Sequence, residues 1–119
     1  MKILIVDDSV QILEMHSEFF KLMGDNIDTA DNGQEAVKKI SEGAYDVILL
    51  DLAMPEMSGF EVLERLDSMK KLEPKKIFIL SAIDFTPKDQ KNVKQYGIEN
   101  VISKPINIHE LYEIIKSRI

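Results

Sequence analysis

A chain of 119 residues, 45% of them hydrophobic, has the length of one ordinary domain and enough apolar side chains for a folded core, which excludes wholesale disorder. The absence of cysteine excludes disulfides and thiolate metal sites, and the net charge of −6 opposes binding to nucleic acid or to an anionic membrane. The first apolar run is too short for a signal peptide or a membrane span, which predicts a cytoplasmic protein.

Apolar runs and helical patterns alternate along the whole chain. Four of the runs are continuous, as expected for strands covered on both faces, while one alternates apolar with polar residues and suits an edge strand. The predicted strands are residues 3–6, 27–30 (the alternating run), 47–50, 77–80 and 101–102, and the predicted helices are residues 10–23, 34–42, 59–69, 87–97 and 108–119. Five successive βα units predict an α/β fold with a doubly wound, five-stranded parallel sheet and five helices.

The first predicted helix shows an apolar stripe at helical spacing. The stripe consists of Ile12, Met15, Phe19 and Met23, and it predicts the face that packs on the sheet. Leu13 falls beside this stripe, so we expect it to be partly buried or to contact a partner near the strand ends. In the last helix, Ile108, Leu111, Tyr112, Ile115 and Ile119 are predicted to share one buried face.

Polar side chains follow four of the five predicted strands. Asp7 and Asp8 follow the first strand, Asp51 the third, Ser81 the fourth and Lys104 the fifth. Because the carboxyl ends of parallel strands form one edge of a sheet, where sites of such folds lie, we expect these groups to converge.

Three neighbouring carboxylates repel one another, by roughly 4 kcal/mol per pair at about 4 Å and an effective dielectric constant near 20. Lys104 supplies one compensating charge, and a divalent cation would supply two more, although a carboxylate could instead take up a proton. An all-oxygen site favours Mg²⁺, Mn²⁺ or Ca²⁺. With such a cation, the Asp51 carboxylate can act as a nucleophile toward a phosphoryl group, whose oxygens Lys104 and Ser81 would hold.

Four segments of the chain resemble the response-regulator receiver family, namely IVDDS at 5–9, DLAMPEMSG at 51–59, SA at 81–82 and KP at 104–105. The resemblance covers the whole length and implies a flavodoxin-like receiver fold over residues 1–119, with no output domain. It implies that Asp51 accepts phosphate and that Asp8 ligates Mg²⁺ directly while Asp7 assists through water. The backbone carbonyl of Ala53 is implied as a further metal ligand, and the bond before Pro105 is implied to be cis.

The resemblance also implies partners. A histidine kinase or a histidine phosphotransfer protein would supply the phosphoryl group, and a downstream effector protein would respond, in a chemotaxis-type switch or a phosphorelay. The protein would catalyse only its own phosphorylation and dephosphorylation, without nucleic acid or membrane, as a monomer or weak dimer. The expected reporting surface includes Lys91, Tyr96, Val101 and Ile106. Val101 stands where the family often has an aromatic switch residue, which makes an aromatic rotamer switch at this position doubtful.

Two positions bear on how long a phosphoryl group would persist. Ala53 lies two residues after Asp51, and Ile83 lies two residues after Ser81. In receivers, the side chains at these two positions line the path of the attacking water. Both side chains are apolar and cannot orient a water, so we expect slower loss of phosphate than in fast-resetting chemotaxis receivers.

Three other functions were weighed against this one. A haloacid-dehalogenase-type hydrolase also uses an aspartyl nucleophile but carries a second aspartate two residues later, where this chain has Ala53. A flavin carrier would hold phosphate in its first loop, where Asp7 and Asp8 would repel it. An unphosphorylated receiver-like scaffold would not need the complete set of Asp7, Asp8, Asp51, Ser81 and Lys104.

Overall fold

The computed structural model describes residues 1–82 and 84–119, and it confirms the predicted fold of five βα units. The strands are β1 (Lys2–Val6), β2 (Asn26–Ala30), β3 (Val47–Asp51), β4 (Ile77–Ser81) and β5 (Asn100–Ser103), and the helices are α1 (Val10–Leu22), α2 (Gly33–Glu42), α3 (Gly59–Ser68), α4 (Pro87–Lys94) and α5 (Ile108–Ser117). Within the described residues, no helix combines the length and apolarity needed to cross a bilayer.

All five strands are parallel and form one sheet in the order β2-β1-β3-β4-β5. The chain therefore goes from β1 outward to β2 and then crosses back over β1 to β3. The loops after β1 and β3 consequently leave the sheet toward opposite faces from adjacent strands. This divergence opens a crevice at the carboxyl edge between them, which is where sites form in doubly wound sheets.

Both faces of the sheet are covered by helices. Leu4 and Val6 point into a core shared with α2, α3 and α4, while Ile3 and Ile5 point into a second core shared with α1 and α5. Successive side chains of a strand point to opposite faces, so a strand covered twice must be apolar at every position. This explains why the central strands are continuous apolar runs.

The helices begin at side-chain caps. Each N-cap side chain accepts a hydrogen bond from a backbone N–H in the first turn, and the caps are Ser9, Asn32, Ser58, Thr86 and Asn107. Thr86 and Asp89 form a reciprocal capping box, and α4 ends at Lys94 rather than continuing to the predicted Gly97. Because α4 buries Val93 and otherwise faces solvent or lies half-buried, we expect this helix to have low local stability.

The predicted core stripe of α1 is wrong. Leu13 is 6% exposed and Phe20 is fully buried, whereas Met15 and Met23 are 65% and 48% exposed. Apolar residues occupy more than half of the helix circumference, so periodicity alone allowed two orientations. The sheet selects the one centred on Leu13, and Phe19 then lies half-buried against α5.

The end of α5 also differs from the prediction. Leu111, Tyr112 and Ile115 are buried as expected, but Ile119 is largely exposed. The helix ends at Ser117, so Ile119 lies beyond the last turn that contacts the sheet.

We expect Leu13→Ala to lower the free energy of unfolding by about 2 to 5 kcal/mol, because it leaves a cavity between α1 and the sheet. Met15→Ala, on the same helix but in solvent, should change it by no more than about 0.5 kcal/mol. Urea unfolding followed by circular dichroism measures both. Equal losses would instead support the predicted stripe.

Candidate functional site

Three carboxylates meet at the carboxyl edge of the sheet. Asp7, Asp8 and Asp51 each offer an oxygen, and these oxygens lie within 4.8 Å of one another. The register explains the meeting, because Val6 pairs with Leu50 and the residues that follow them therefore leave the sheet at the same level. Asp7 and Asp51 are 3% and 5% exposed, while Asp8 faces solvent.

Lys104 provides the positive charge of this site. Its Nζ lies 3.5 Å from Asp7 Oδ2 and 3.4 Å from Asp51 Oδ2. The Lys104–Pro105 bond is cis, as the sequence resemblance implied. The backbone N–H of Lys104 donates to the carbonyl of Ser81 at 2.8 Å, which joins the segments that follow β4 and β5. One ammonium group therefore contacts both buried carboxylates.

Backbone N–H groups hold the two buried carboxylates in position. The N–H of Ser9 donates to Asp7 Oδ1 at 2.9 Å, and the N–H of Ala53 donates to Asp51 Oδ1 at 3.0 Å. Each carboxylate thus has one oxygen fixed by its own loop and the other, Oδ2, directed toward Lys104. The role of Ser9 was not predicted, although its position as the N-cap of α1 directly after two aspartates was the available signal.

The site also requires a close approach between α3 and the strand that carries Asp51. A Cβ added at Gly59 would lie 2.6 Å from the carbonyl oxygen of Asp51 and 2.7 Å from the Cα of Leu52. The N–H of Gly59 donates to the carbonyl of Leu52 at 3.0 Å. Any larger residue at this position would push the first turn of α3 away from Asp51.

Burial acts against the charge of Asp51. Loss of solvent raises the pKa of this carboxyl, and the nearby charge of Asp7 adds to the shift, while Lys104 and the N–H of Ala53 oppose it without cancelling it. Asp51 therefore carries a destabilised negative charge in the absence of a further cation. A group that neutralises this charge would bind favourably here.

The residues present fit a divalent cation. Asp7 Oδ2 is buried and has no hydrogen-bond partner, and with oxygens of Asp8 and Asp51 it completes an all-oxygen set of the kind that Mg²⁺ and Mn²⁺ prefer. The solvent exposure of Asp8 leaves a route by which an ion can enter. Ala53 is exposed directly beside Asp51, and the role of its carbonyl as a ligand stays a prediction.

The predicted hydroxyl lies close to the site but is engaged elsewhere. Ser81 is buried at the end of β4, and its Oγ–H donates to the carbonyl of Ile102 at 3.3 Å. Ser81 pairs with Ser103, so the residue that follows on β5 is Lys104. The hydroxyl is therefore directed at β5 in this conformation rather than at Asp51.

The four residues of the predicted reporting surface have different environments. Tyr96 and Val101 are half-buried against the core shared with α2, α3 and α4, whereas Ile106 packs against the core shared with α1 and α5. Lys91 is exposed on α4. These residues thus lie on both faces of the sheet around β5, and their role in signalling stays a prediction.

His16 of α1 is half-buried and lies near enough to Asp7 and Lys104 for their charges to act on it. Burial lowers the pKa of this histidine, while the charge of Asp7 raises it and that of Lys104 lowers it further. Its Nδ1 is buried without a hydrogen-bond partner. His16 is therefore neutral at neutral pH and adds no charge to the site.

Comparison with known proteins identifies the family and the fold. The family model described as the response regulator receiver domain matches residues 3–116. The chain is similar to the chemotaxis protein CheY4 of Vibrio cholerae, with 32% identity, a TM-score of 0.83, and coverage of 99% of this chain and 98% of that one. It is also similar to the response regulator protein TrrA of Thermotoga maritima in complex with Mg²⁺-BeF, with 33% identity, a TM-score of 0.75, and coverage of 99% and 98%.

Several curated relatives of this chain are longer proteins. A transcriptional regulatory protein CpxR homolog of Haemophilus influenzae is 33% identical over 98% of this chain, which spans 49% of that protein. Two other curated relatives are matched over only 7% of their length. The similarity therefore extends to the receiver portion of these relatives and not to the rest of them.

Without added metal, Asp51→Asn should raise the free energy of unfolding near pH 7 by on the order of 1 kcal/mol, because it removes a buried charge. The pKa of Asp51 is higher in the folded protein than in the unfolded chain. The destabilisation of the wild type by the Asp51 charge is therefore absent below the ordinary carboxyl pKa. It develops as the pH rises through the raised pKa that Asp51 has in the folded protein.

Urea unfolding in the presence of chelator, repeated across acidic to neutral pH, measures this difference. Asp67→Asn, an exposed aspartate of α3, is the control and should show no such pH-dependent gain. A variant at position 51 that is no more stable than the wild type near neutral pH would contradict the electrostatic account of the site.

Proposed function

The chain belongs to the response regulator receiver domain family of two-component systems, and on that premise we propose that it is a phosphorylation switch with Asp51 as the acceptor. One observation carries the proposal. Asp51 is a buried carboxylate whose Oδ2 lies 3.4 Å from Lys104 Nζ, and oxygens of Asp7 and Asp8 lie within 4.8 Å of it. This combines a nucleophile, a fixed cation and further anionic ligands in one crevice.

A divalent cation, Mg²⁺ or Mn²⁺, is part of the proposal. Asp8 and Asp51 would hold it directly, with Asp7 assisting and with the carbonyl of Ala53 as a further ligand. When bound, the ion supplies neutralisation of the charge that develops on the phosphoryl oxygens. Asp7 Oδ2 supports this role, because this buried oxygen forms no hydrogen bond and its one ion-pair contact, with Lys104 Nζ at 3.5 Å, is long.

The transfer step needs little from the protein beyond position and charge. An Asp51 oxygen attacks the phosphorus of a phosphohistidine on the partner, a new P–O bond forms, and the P–N bond breaks with its electron pair returning to the imidazole. Lys104 Nζ, already within reach of Asp51, would contact a phosphoryl oxygen. Later attack of water on phosphorus would release inorganic phosphate and restore the carboxylate.

Phosphorylation would be transmitted through β4 and β5. The new group adds about −1.5 to −2 charges next to Ser81 and Lys104. Ser81 Oγ–H would exchange the carbonyl of Ile102 for a phosphoryl oxygen, and the hydrogen bond between Lys104 N–H and the Ser81 carbonyl would couple the two segments. The phosphoryl group would thereby favour one of two pre-existing conformations. An effector would recognise that conformation at the surface around Val101.

The chemistry of the site also indicates its partners. A histidine kinase or a histidine phosphotransfer protein would supply the phosphoryl group, and an effector protein would read the switch. A chemotaxis-type switch and a phosphorelay intermediate both use this chemistry. The similarity to a chemotaxis protein over almost the whole of both chains is compatible with the first of these.

Two alternatives have less support. A hydrolase of the haloacid-dehalogenase type lacks its general acid, because Ala53 occupies the required position. A scaffold that is never phosphorylated gives no reason for Lys104 to contact two buried carboxylates. The first experiment below separates the switch from the scaffold.

We expect the wild type to gain one phosphoryl group when it is incubated with acetyl phosphate and Mg²⁺, and Asp51→Asn to gain none, as measured by intact mass. Chelation of the metal should abolish the gain, since the charge of the phosphoryl group would then be unneutralised. Asp67→Asn should behave as the wild type. A wild type that gains no mass under these conditions would reject the switch in favour of the scaffold.

The lifetime of the phosphorylated protein tests the position after the acceptor. Ala53→Asn should lose its phosphoryl group about threefold to tenfold faster, the rate equivalent of roughly 1 kcal/mol from one new hydrogen bond to the attacking water. Ala44→Asn, another exposed alanine, is the matched control. Equal lifetimes of the Ala53 variant and the wild type would contradict the prediction, whose second residue, Ile83, lies outside the described residues.

A further inference from the structure

A groove with a volume of about 560 Å³ lies on the outer side of β2, one of the two edge strands, between α1 and the start of α2. Its apolar surface comes from Val10, which is 56% exposed, and from the half-buried Ile27, while Leu13 lies at the base and is only 6% exposed. Since Val10 and Asp31 lie just after the carboxyl ends of β1 and β2, the groove opens at the same edge of the sheet as Asp51. It uses none of the residues assigned to the phosphorylation site.

The walls of the groove are acidic. Five carboxylates and one ammonium group line it, and they are Glu14, Glu18, Asp28, Asp31, Glu35 and Lys21. Asp28 and Glu35 are each 3.0 Å from Lys39, whereas Glu14, Glu18 and Asp31 form no ion pair within residues 1–82 and 84–119. Much of the net charge of −6 is therefore concentrated around one apolar depression.

The carboxyl half of β2 is protected against pairing with another strand. The N–H of Asn26 donates to the carbonyl of Met1, and the carbonyl of Ala30 accepts from the N–H of Asp7, so the backbone polar groups of Asn26 and Ala30 point toward β1. Those of the alternate residues, Ile27 and Thr29, point outward from the sheet. The N–H of Thr29 donates to Asp28 Oδ1 at 2.9 Å. Its carbonyl accepts a hydrogen bond from Lys39 Nζ. An added strand would find the backbone groups of Thr29 occupied, which favours contacts made by side chains at the carboxyl half of this edge.

We propose that this groove binds a cationic amphipathic helix of a partner protein, with apolar side chains on Val10 and Ile27 and with lysine or arginine side chains opposite Glu14, Glu18 and Asp31. Charge complementarity selects this occupant, because a negatively charged chain repels acidic partners and anionic membranes. An amphipathic helix in a groove presents apolar anchors at three- and four-residue spacing, which suits a short apolar floor between acidic walls. The proposal does not depend on phosphoryl transfer at Asp51.

The test uses an acetylated, amidated peptide of about four helical turns, with leucine at every third or fourth position and lysine elsewhere. Calorimetry measures its affinity, and shifts of the backbone amide signals in ¹⁵N–¹H spectra locate the binding surface. We expect the shifts to centre on α1 and β2. A peptide of the same composition with its leucines distributed around the helix controls for charge alone and should bind more weakly.

Two charge-reversed variants separate the groove from the overall charge. Glu14→Lys/Glu18→Lys should weaken binding roughly tenfold, because two partly exposed ion pairs are replaced by repulsion. Glu110→Lys/Glu113→Lys changes the net charge equally on exposed positions of α5 and should leave the affinity within about twofold of the wild type. Val10→Asn should also weaken binding, since it makes the floor of the groove polar.

Four outcomes would overturn the proposal. They are shifts centred away from α1 and β2, equal weakening by the two charge-reversed variants, equal binding of the control peptide, and sedimentation evidence that a second copy of the chain occupies the groove. Asp51→Asn should bind the peptide like the wild type. Groove variants that lose peptide binding but are still phosphorylated would support the groove proposal without any bearing on the phosphorylation switch.

Discussion

Three carboxylates must lie close together at one edge of the sheet, and the arrangement around Asp51 depends on how their repulsion is offset. Lys104 contacts both buried carboxylates, at 3.5 Å and 3.4 Å, and the N–H groups of Ser9 and Ala53 fix one oxygen of each. These contacts do not fully offset burial, so the pKa of Asp51 stays raised. The remaining electrostatic imbalance is what gives such a site affinity for a cation and for the phosphoryl group that it neutralises.

The geometry of this site follows from strand order and register. Because β1 and β3 are neighbours and Val6 pairs with Leu50, Asp7 and Asp51 leave the sheet side by side. On the other side of β3, the pairing of Ser81 with Ser103 brings Lys104 to the same edge. Hydrogen bonds between strands therefore determine distances between side chains that are far apart in the sequence. The same bonds connect Asp51 to β5, the strand that carries Val101.

The outer edge of the sheet by β2 has a different character from the crevice. Asp28 and Lys39 occupy the outward backbone groups of Thr29, so the carboxyl half of this edge is protected from strand addition while the flanking groove remains open. Acidic side chains are thus used in two ways in one small protein. Those in the crevice lie close together, and the two buried ones, Asp7 and Asp51, are paired with Lys104. Those of the groove are spread over an exposed surface, where they can attract a positively charged partner over a longer range.

The sequence by itself determined the fold class, the order of the elements and the identity of the converging side chains. Continuous apolar runs indicate strands that are covered by helices on both faces of the sheet. The residues directly after these strands must lie at one edge of a parallel sheet. Asp7, Asp8, Asp51, Ser81 and Lys104 were therefore predictable as a group. The tertiary structure alone decided the orientation of α1, because apolar residues on two sides of a helix satisfy the same periodicity and only packing against the sheet selects Leu13 over Met15. It also decided the contact of Ser9 with Asp7, the hydrogen bond of Ser81 with Ile102, and the acidic groove beside β2, since these depend on distances between segments that local sequence patterns do not encode.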